Sequence, residues 1–318
     1  MEKLLDPAIL FFVFGLMAGA VRSNLEIPQP ISKFLSMYLL MALGLKGGFA
    51  LAASGLNAEV AKSIGCALLL AVVVPALGYV LLRRWLNGFD AAAVAATYGS
   101  VSAVTFITAV QYTENQGLAP GGHMAAAMAL MESPAIVMAV VLANWARRQQ
   151  ANGGAVTPLS KVLHESLTDG AQLLLLGAMV VGLVTGAAGQ QAMAPFSVDL
   201  FKGMLAFFLL DMGLLAARNA PALRNASPAL IAYAVLGPLV HAAFALALAA
   251  MAGLSPGNGA LLMVLAASAS YIAVPAVLRQ AIPEAQPALY FGLSLGLTFP
   301  FNILLGIPLY TAVAQRFL

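Results

Sequence analysis

Long apolar runs recur along the whole chain, and they restrict the fold more than any other feature of the sequence. Each run has about 20 residues, the length that an α-helix needs to cross roughly 30 Å of hydrocarbon. The mean hydropathy is +0.93, and charged residues make up 8% of the 318 positions. Such values lie outside the range of water-soluble globular domains. The sequence therefore predicts an all-α polytopic membrane protein.

We predict ten transmembrane helices, numbered here as spans 1 to 10. They cover residues 7–22, 31–53, 60–82, 91–113, 121–145, 167–189, 198–216, 229–252, 258–280 and 286–314. The segment before the first run is acidic as well as basic and nothing soluble follows that run, so we interpret it as a retained span and not as a cleaved signal peptide.

Basic residues predict the orientation of these spans. The loops after the odd-numbered spans hold Arg22, Lys33, Arg83, Arg84, Arg147, Arg148, Lys161, Arg218, Arg224 and Arg279. The opposite side holds Lys3, Lys62, Lys202 and Arg316. Because cytoplasmic loops carry the excess of lysine and arginine, we expect the first set to face the cytoplasm of a bacterial inner membrane. Both termini then lie outside.

The two halves of the chain resemble each other. "SKFLSMYLLMALGL" in span 2 aligns with "FKGMLAFFLLDMGL" in span 7 and superimposes Gly44 on Gly213. "ATYGSVSAVT" in span 4 aligns with "ASASYIAVP" in span 9 and sets Ser100 against Ser270. "MESPAIV" in span 5 aligns with "LTFPFNI" in span 10. The alternative is chance similarity among apolar helices, which three matches in the same order disfavour.

These matches predict a first repeat at 1–148, a polar, Gly-rich cytoplasmic linker at 149–165 and a second repeat at 166–318. Five spans in each half is an odd number, so the second repeat must be inverted relative to the first. Inverted repeats with interrupted helices in matching positions are typical of secondary transporters, which bind their cargo at the repeat interface.

Hydroxyl groups and a helix breaker interrupt spans 4 and 9. Pro275 follows two serines and a tyrosine in span 9, and span 4 contains "YGSVSAVT". Irregular backbone is tolerated in a membrane only where protein or water satisfies it. The free N–H groups at such a break favour an anion, and its carbonyl end favours a small cation. We expect the two breaks to cross and form one site. The alternative is that the serines pack helices and the proline merely kinks span 9.

Oxygen-bearing side chains in spans 5 and 10 suggest a cation site. Glu132 precedes a proline in span 5, and its counterpart in the repeat is Thr298, with Asn302 one turn further on. Carboxylate, hydroxyl and amide oxygens suit a hard cation. Glu132 is thus a Na⁺ ligand or a proton carrier.

Two further charges lie inside the paired spans 2 and 7. A charge within a membrane is expensive unless it is paired or hydrated. We therefore predict a structural ion pair between Lys46 and Asp211 that bridges the halves. The alternative is that Lys46 attracts a substrate anion.

Several classes of protein lack support in the sequence. It contains no phosphate-binding glycine loop, no His/Cys metal cluster and no Gly-x-Ser-x-Gly elbow, which disfavours an ATP-driven pump or a hydrolase. We predict no enzyme activity, no cofactor, no metal beyond Na⁺ and no nucleic-acid partner.

The motifs that remain resemble those of the sodium-dependent bicarbonate transporter family known from cyanobacteria. The similar segments are "SNLEIPQPISKFLSMYLLMALGLKGG", "YGSVSAVTFITAV", "ESPAIVMAVVLAN", "LAASASYIAVPAVLRQAIPEAQPALYFG" and "GIPLY". The resemblance implies ten helices in inverted repeats, a mobile core of spans 3–5 and 8–10, and a scaffold of spans 1, 2, 6 and 7 that forms a homotrimer. It also implies a PII-like cytoplasmic regulator, although the linker here is short where the family's is long.

The resemblance also implies site residues. The anion-binding breaks correspond to Gly99, Ser100, Val101, Ser102 and Thr105 in span 4, and to Ser268 and Ser270 in span 9. The chain departs from the family pattern near these positions: Tyr271 stands where the family has Asp, Ala273 and Val274 replace Ser and Gly, and Ala103 and Val104 replace Gly and Ser.

Together these features predict a sodium-coupled symporter of elevator type for a small anion, with bicarbonate as the leading substrate. The expected anion ligands are the break residues together with Tyr271. The expected Na⁺ ligands are Ser102, Glu132, Ser270, Thr298 and Asn302. One alternative keeps the fold but carries a small monocarboxylate or another anion, admitted by the surroundings of Tyr271. Another is a membrane receptor that senses an anion without transporting it.

Overall fold

The computed structural model describes residues 6–55, 57–148, 168, 170–223, 226–271 and 273–318. These residues form helices and contain no β-strand. In chain order the helices are α1 (Pro7–Ala20), α2 (Gln29–Ser54), α3 (Ala58–Leu82), α4 (Gly88–Gly99), α5 (Ala103–Asn115), α6 (His123–Arg148), α7 (Gly170–Ala194), α8 (Phe201–Asn219), α9 (Pro228–Ala252), α10 (Pro256–Ala267), α11 (Ala273–Ala281) and α12 (Pro287–Phe317). The expected linker at 149–165 lies outside the described residues.

Seven helical runs in the described part of the chain are long and apolar enough to cross a membrane. They are α2, α3, α4 with α5, α6, α7 with α8, α9 and α12. The helices α1 and α10 are apolar but shorter. A multi-pass, all-α membrane protein is therefore confirmed.

Local capping explains why the helices begin where they do. Asp6 accepts a hydrogen bond from the N–H of Ala8 at the start of α1, and Asn57 accepts one from Val60 at the start of α3. Side-chain oxygens in this position satisfy N–H groups that have no partner within the helix.

At Gly186, with φ of +53°, the backbone leaves the helical conformation inside α7. A left-handed conformation of this kind favours glycine.

Two pairs of helices pack closely through glycine. A Cβ atom on Gly44 of α2 would collide with the carbonyl oxygen of Leu175 in α7. A Cβ atom on Gly48 would collide in the same way with the carbonyl of Met179. Because both contact positions advance together along the chain, α2 and α7 run parallel. Small residues allow such close approach between helices in a membrane.

The helices α1 and α8 repeat this arrangement. Gly213 of α8 lies against the backbone of α1 so closely that a Cβ atom would meet the carbonyl oxygen of Phe12. Gly19, further along α1, faces Ala217, further along α8, so this pair is parallel as well. Gly44 and Gly213, which the sequence alignment superimposes, therefore occupy equivalent helix crossings.

The remaining helices enclose α4 and α10. Every residue of α4 after Gly88 is buried, and so is every residue of α10 after Pro256. The segments "FDAAAVAATYG" and "GNGALLMVLAA" are mostly small and apolar, and a helix that is apolar all round is buried on all sides. The ends of these two helices therefore lie inside the protein.

The expected ion pair between Lys46 and Asp211 is wrong. The Nζ atom of Lys46 lies 3.1 Å from both carboxylate oxygens of Glu114 and 5.1 Å from the centre of the Phe201 ring. The reason is the helix pairing: α2 lies along α7 rather than along α8, so the two charges line different cavities.

Candidate substrate and ion site

Two helix breaks carry the candidate site. α4 ends at Gly99, and α5 begins at Ala103 after three residues of non-helical backbone. α10 ends at Ala267, and α11 begins at Ala273. The predicted interruption of spans 4 and 9 is confirmed. The C-cap residues of α4 and α10 are Ser100 and Ser268, both in extended conformation. By position at the helix end, Ser100 is therefore equivalent to Ser268, whereas the sequence alignment set Ser100 against Ser270.

The two breaks bond directly to each other. The N–H of Ser102 donates to Oγ of Ser268 over 3.1 Å, and the N–H of Ser270 donates to the carbonyl of Thr97 over 2.8 Å. Oγ of Ser102 accepts bonds from the N–H and Oγ1 of Thr105 at 3.2 and 2.9 Å, so Ser102 caps α5. Backbone that would be unsatisfied in lipid is thus paired within the crossing.

A cavity of about 70 Å³ lies beside the crossing, and we call it the central cavity. Its walls come from the breaks, from α6 and from the pair α2 and α7. It is lined by Ser36, Leu40, Val101, Ser102, Ala103, Met128, Ala129, Glu132, Ala171, Gln172, Leu175, Ser270 and Tyr271. Of the residues predicted for the site, the structure brings Val101, Ser102, Glu132, Ser270 and Tyr271 together here.

Glu132 is the one charged side chain among the described residues that line the central cavity. Its Oε2 atom accepts a hydrogen bond of 2.7 Å from Nε2 of Gln172. Gln172 and Ser36 were missed in the sequence. The available signal was a polar side chain within an apolar run, which also occurs wherever helices pack.

Tyr271 and Ser36 also line a larger cavity of about 1080 Å³, which we call the vestibule. The vestibule is lined by Ile27, Gln29, Pro30, Ser32, Lys33, Ser36, Phe208, Asp211, Met212, Leu215, Asn219, Tyr271, Arg279, Ala288, Phe291 and Leu295. The Tyr271 ring packs edge-on against Phe299, with centroids 5.1 Å apart, and its hydroxyl lies 3.8 Å from the sulfur of Met212.

Four other predicted anion ligands shape the breaks without lining the central cavity. Gly99 packs against the ring of Pro75, which a Cβ atom would meet at 2.6 Å. Ser100 is fully buried, and its Oγ has no hydrogen-bond partner in the described part of the chain. Thr105 and Ser268 bond to the neighbouring break residues.

Thr298 and Asn302 do not reach the central cavity. Thr298 donates to the carbonyl of Ala234 over 2.7 Å and accepts the hydroxyl of Tyr98 at 2.6 Å. Asn302 donates to the carbonyl of Ala267, the last residue of α10, over 2.8 Å. Its Oδ1 accepts a bond from the hydroxyl of Tyr310 at 3.1 Å. Both side chains flank the breaks and use their hydrogen bonds to hold neighbouring helices.

Sequence comparison decides the family. The family model for the Na⁺-dependent bicarbonate transporter superfamily matches residues 7–315. The chain belongs to this superfamily. A comparison with curated protein sequences finds no significant match. Membership in the Na⁺-dependent bicarbonate transporter superfamily confirms the resemblance drawn from the motifs, and it indicates a membrane transporter.

The chemistry of the central cavity suits a superfamily of Na⁺-dependent bicarbonate transporters. Glu132, Ser102 and Ser270 offer a carboxylate and two hydroxyls, which are the hard oxygen ligands that small cations prefer. The first turn of α5 begins at the cavity wall, and a helix N-terminus attracts anions through its free N–H groups and its dipole. Within the described residues, no three His, Cys, Asp or Glu side chains converge as a metal cluster would require.

Proposed function

We propose that this protein is a secondary active transporter that couples Na⁺ to the symport of a small anion, with bicarbonate as the leading substrate. The observation that carries the proposal is the central cavity, where one carboxylate, serine hydroxyls and the start of α5 converge. At about 70 Å³ it is far smaller than the roughly 300 Å³ at which pockets for drug-sized ligands begin. A cargo of a few heavy atoms fits this volume.

Binding begins with the cation in the proposed mechanism. Na⁺ occupies the oxygens of Glu132, Ser102 and Ser270 and offsets the negative charge of the carboxylate. The anion then binds at the N-terminus of α5 and accepts hydrogen bonds from the O–H groups of Ser102 and Ser270, whose oxygens also face the cation. Because the cation and the anion stabilise each other at short distance in a site shielded from water, each raises the affinity of the other.

The transport step in this proposal is an elevator motion of α3–α6 and α9–α12 against a scaffold of α1, α2, α7 and α8. The two parallel glycine-packed pairs support two inverted repeats, because exchanging spans 1 and 2 with spans 6 and 7 converts one pair into the other. Ligands drive such a motion only by binding the two states differently. The homotrimer, the PII-like regulator and the cytoplasmic side of the basic loops stay predictions.

A second candidate keeps the fold and carries a small monocarboxylate. The aromatic wall at Tyr271, where the family pattern has an acid, favours it, because that wall removes a negative charge and adds apolar surface beside the anion. Competition separates the two candidates. If acetate inhibits uptake of the labelled anion at concentrations at which unlabelled bicarbonate does not, the monocarboxylate is the better candidate for the substrate.

Two substitutions test the site. Changing Ser102 and Ser270 together to alanine should weaken anion affinity by at least roughly a hundredfold, since two lost hydrogen bonds to a charged group, each worth about 1.5–3 kcal/mol, sum to about 3–6 kcal/mol. The matched control is Ser63→Ala, a buried serine of α3 that does not line the central cavity. Wild-type affinity in the double variant would contradict the assignment.

Glu132→Gln tests the cation. It should raise the Na⁺ concentration needed for half-maximal uptake more than the anion concentration, because it removes the carboxylate and keeps the shape. The opposite pattern would show that Glu132 does not bind the cation.

A further inference from the structure

The central cavity and the vestibule share two described lining residues, Ser36 and Tyr271. Ser36 is a small side chain on α2, whereas Tyr271 is a bulky ring at the break before α11. Tyr271 is only 6% exposed although it borders a cavity of about 1080 Å³. Tyr271 is therefore the larger of the two described side chains that border both spaces.

The Tyr271 ring is held firmly on one side. It lies at 62° to the ring of Phe299, and Phe299 in turn lies at 87° to Phe12 of α1, with centroids 5.4 Å apart. Edge-to-face pairs of this kind contribute about 0.5–1.5 kcal/mol beyond the area that they bury. This stack fixes the position of the ring beside the break.

The hydroxyl end of the same side chain has a weak contact. It interacts with Ser102 in the break between α4 and α5. It also lies 3.8 Å from the sulfur of Met212 on α8, and a thioether is a weak hydrogen-bond acceptor. The contact with Met212 crosses from the break to a helix of the proposed scaffold. Relative movement of the two parts would therefore break it at low cost.

We propose that Tyr271 is the wall between the central cavity and the vestibule, and that its ring sets the largest anion the site accepts. This inference rests on the proposed function. With the ring in place, the cavity takes an anion of a few heavy atoms. With the ring removed, the cavity opens into the vestibule, and monocarboxylates with longer apolar chains fit.

Charges on the vestibule agree with a pathway for anions. Lys33 and Arg279 are exposed on its lining, and Asp211 is a buried carboxylate of the same wall. Basic side chains at the mouth of a cleft raise the local concentration of anions. Tyr271 thus separates the binding site from a space that attracts the proposed cargo.

The first experiment measures access rather than transport. In a Cys66→Ser background, Ala129→Cys introduces a single thiol on the lining of the central cavity, and Ser32→Cys introduces one on the vestibule. We expect a charged thiol reagent to label Ala129→Cys about tenfold faster when Tyr271 is changed to alanine. The labelling rate of Ser32→Cys should be the same with and without the Tyr271 substitution, which controls for the folding of the protein and the activity of the reagent.

Two further variants keep this test decisive. Tyr271→Phe retains the ring, so Ala129→Cys should be labelled at the rate of the parent protein. Tyr271→Leu replaces the alanine variant if that variant does not fold, and it should allow faster labelling than the parent protein. Equal labelling of Ala129→Cys in the alanine, leucine and parent proteins would overturn the proposal.

The second experiment measures size selectivity. Formate, acetate and propionate are tested as competitors of bicarbonate uptake in proteoliposomes. The longest acid that still inhibits bicarbonate uptake should be shorter for the parent protein than for Tyr271→Ala. Unchanged selectivity together with unchanged labelling would refute the wall. If Tyr271→Ala changes the labelling but the parent protein does not take up bicarbonate, the role of Tyr271 as a wall is supported and the proposed function is refuted.

Discussion

Asn302 is the side chain for which sequence and structure suggest different roles. The sequence predicts a Na⁺ ligand, whereas the structure shows a buried amide that donates to the carbonyl of Ala267 and accepts from Tyr310. Asn302→Ala leaves both of these groups without their partner. A buried polar group that loses its hydrogen bond costs about 1–3 kcal/mol, so the two losses sum to about 2–6 kcal/mol of unfolding free energy.

Thermal unfolding of the purified protein in detergent, with Na⁺ or with choline, separates the two roles. If Asn302 holds the end of α10, the variant should unfold at a lower temperature in both salts and keep any stabilisation that Na⁺ gives the parent protein. The matched control is Ser294→Ala on the same helix, whose hydroxyl donates to the carbonyl of Tyr290 one turn earlier. It should have little effect, because it removes one local hydrogen bond.

The reasoning would be refuted by one specific pattern. If Asn302→Ala unfolds at the parent temperature in choline but loses the stabilisation by Na⁺, the amide is a cation ligand. Its bonds to Ala267 and Tyr310 would then contribute little to stability.

Two other predictions concern contacts away from the site. Gly44→Ala should destabilise the protein by about 1–3 kcal/mol, because the new Cβ collides with the backbone oxygen of Leu175, which cannot rotate away. The control is Gly65→Ala, whose Cβ would meet nothing within 4 Å and which should not destabilise the protein. Equal unfolding temperatures of Gly44→Ala and the parent protein would contradict this packing. The Arg147 guanidinium, 2.8 Å from Glu284, lowers the pKa of that carboxyl below its usual value near 4.3. The pair therefore stabilises the protein above that pH and ceases to do so as the pH falls through the lowered pKa. The stability difference between the parent and Arg147→Met should therefore shrink at low pH to what the other hydrogen bonds of Arg147 contribute, such as the one to the carbonyl of Ala281. A constant difference down to the lowest pH would contradict it.

Local pattern was enough to predict much of the fold. Apolar length indicated membrane spans, and hydroxyls beside glycine and proline indicated the two interrupted helices. The alignment of Gly44 with Gly213 corresponds to two equivalent close contacts between parallel helices. These features follow from a few adjacent residues, so a single sequence reveals them.

Tertiary placement was harder to predict. Lys46 and Asp211 lie on aligned spans, but alignment within a repeat does not make two spans neighbours, and Lys46 pairs with Glu114 instead. Thr298 and Asn302 have oxygens suited to a cation, yet the same atoms suit a hydrogen bond to a buried carbonyl. Only the arrangement of the helices decides between such uses. Gln172 illustrates the converse, since its contact with Glu132 joins residues 40 positions apart.

Uptake of labelled bicarbonate into proteoliposomes, with and without an inward Na⁺ gradient at fixed pH, tests the central claim most directly. Our account predicts uptake that the Na⁺ gradient stimulates and that Glu132→Gln makes less sensitive to Na⁺. Uptake that is absent, or that is the same without Na⁺, in a folded and correctly inserted protein would contradict Na⁺-coupled bicarbonate symport by this chain.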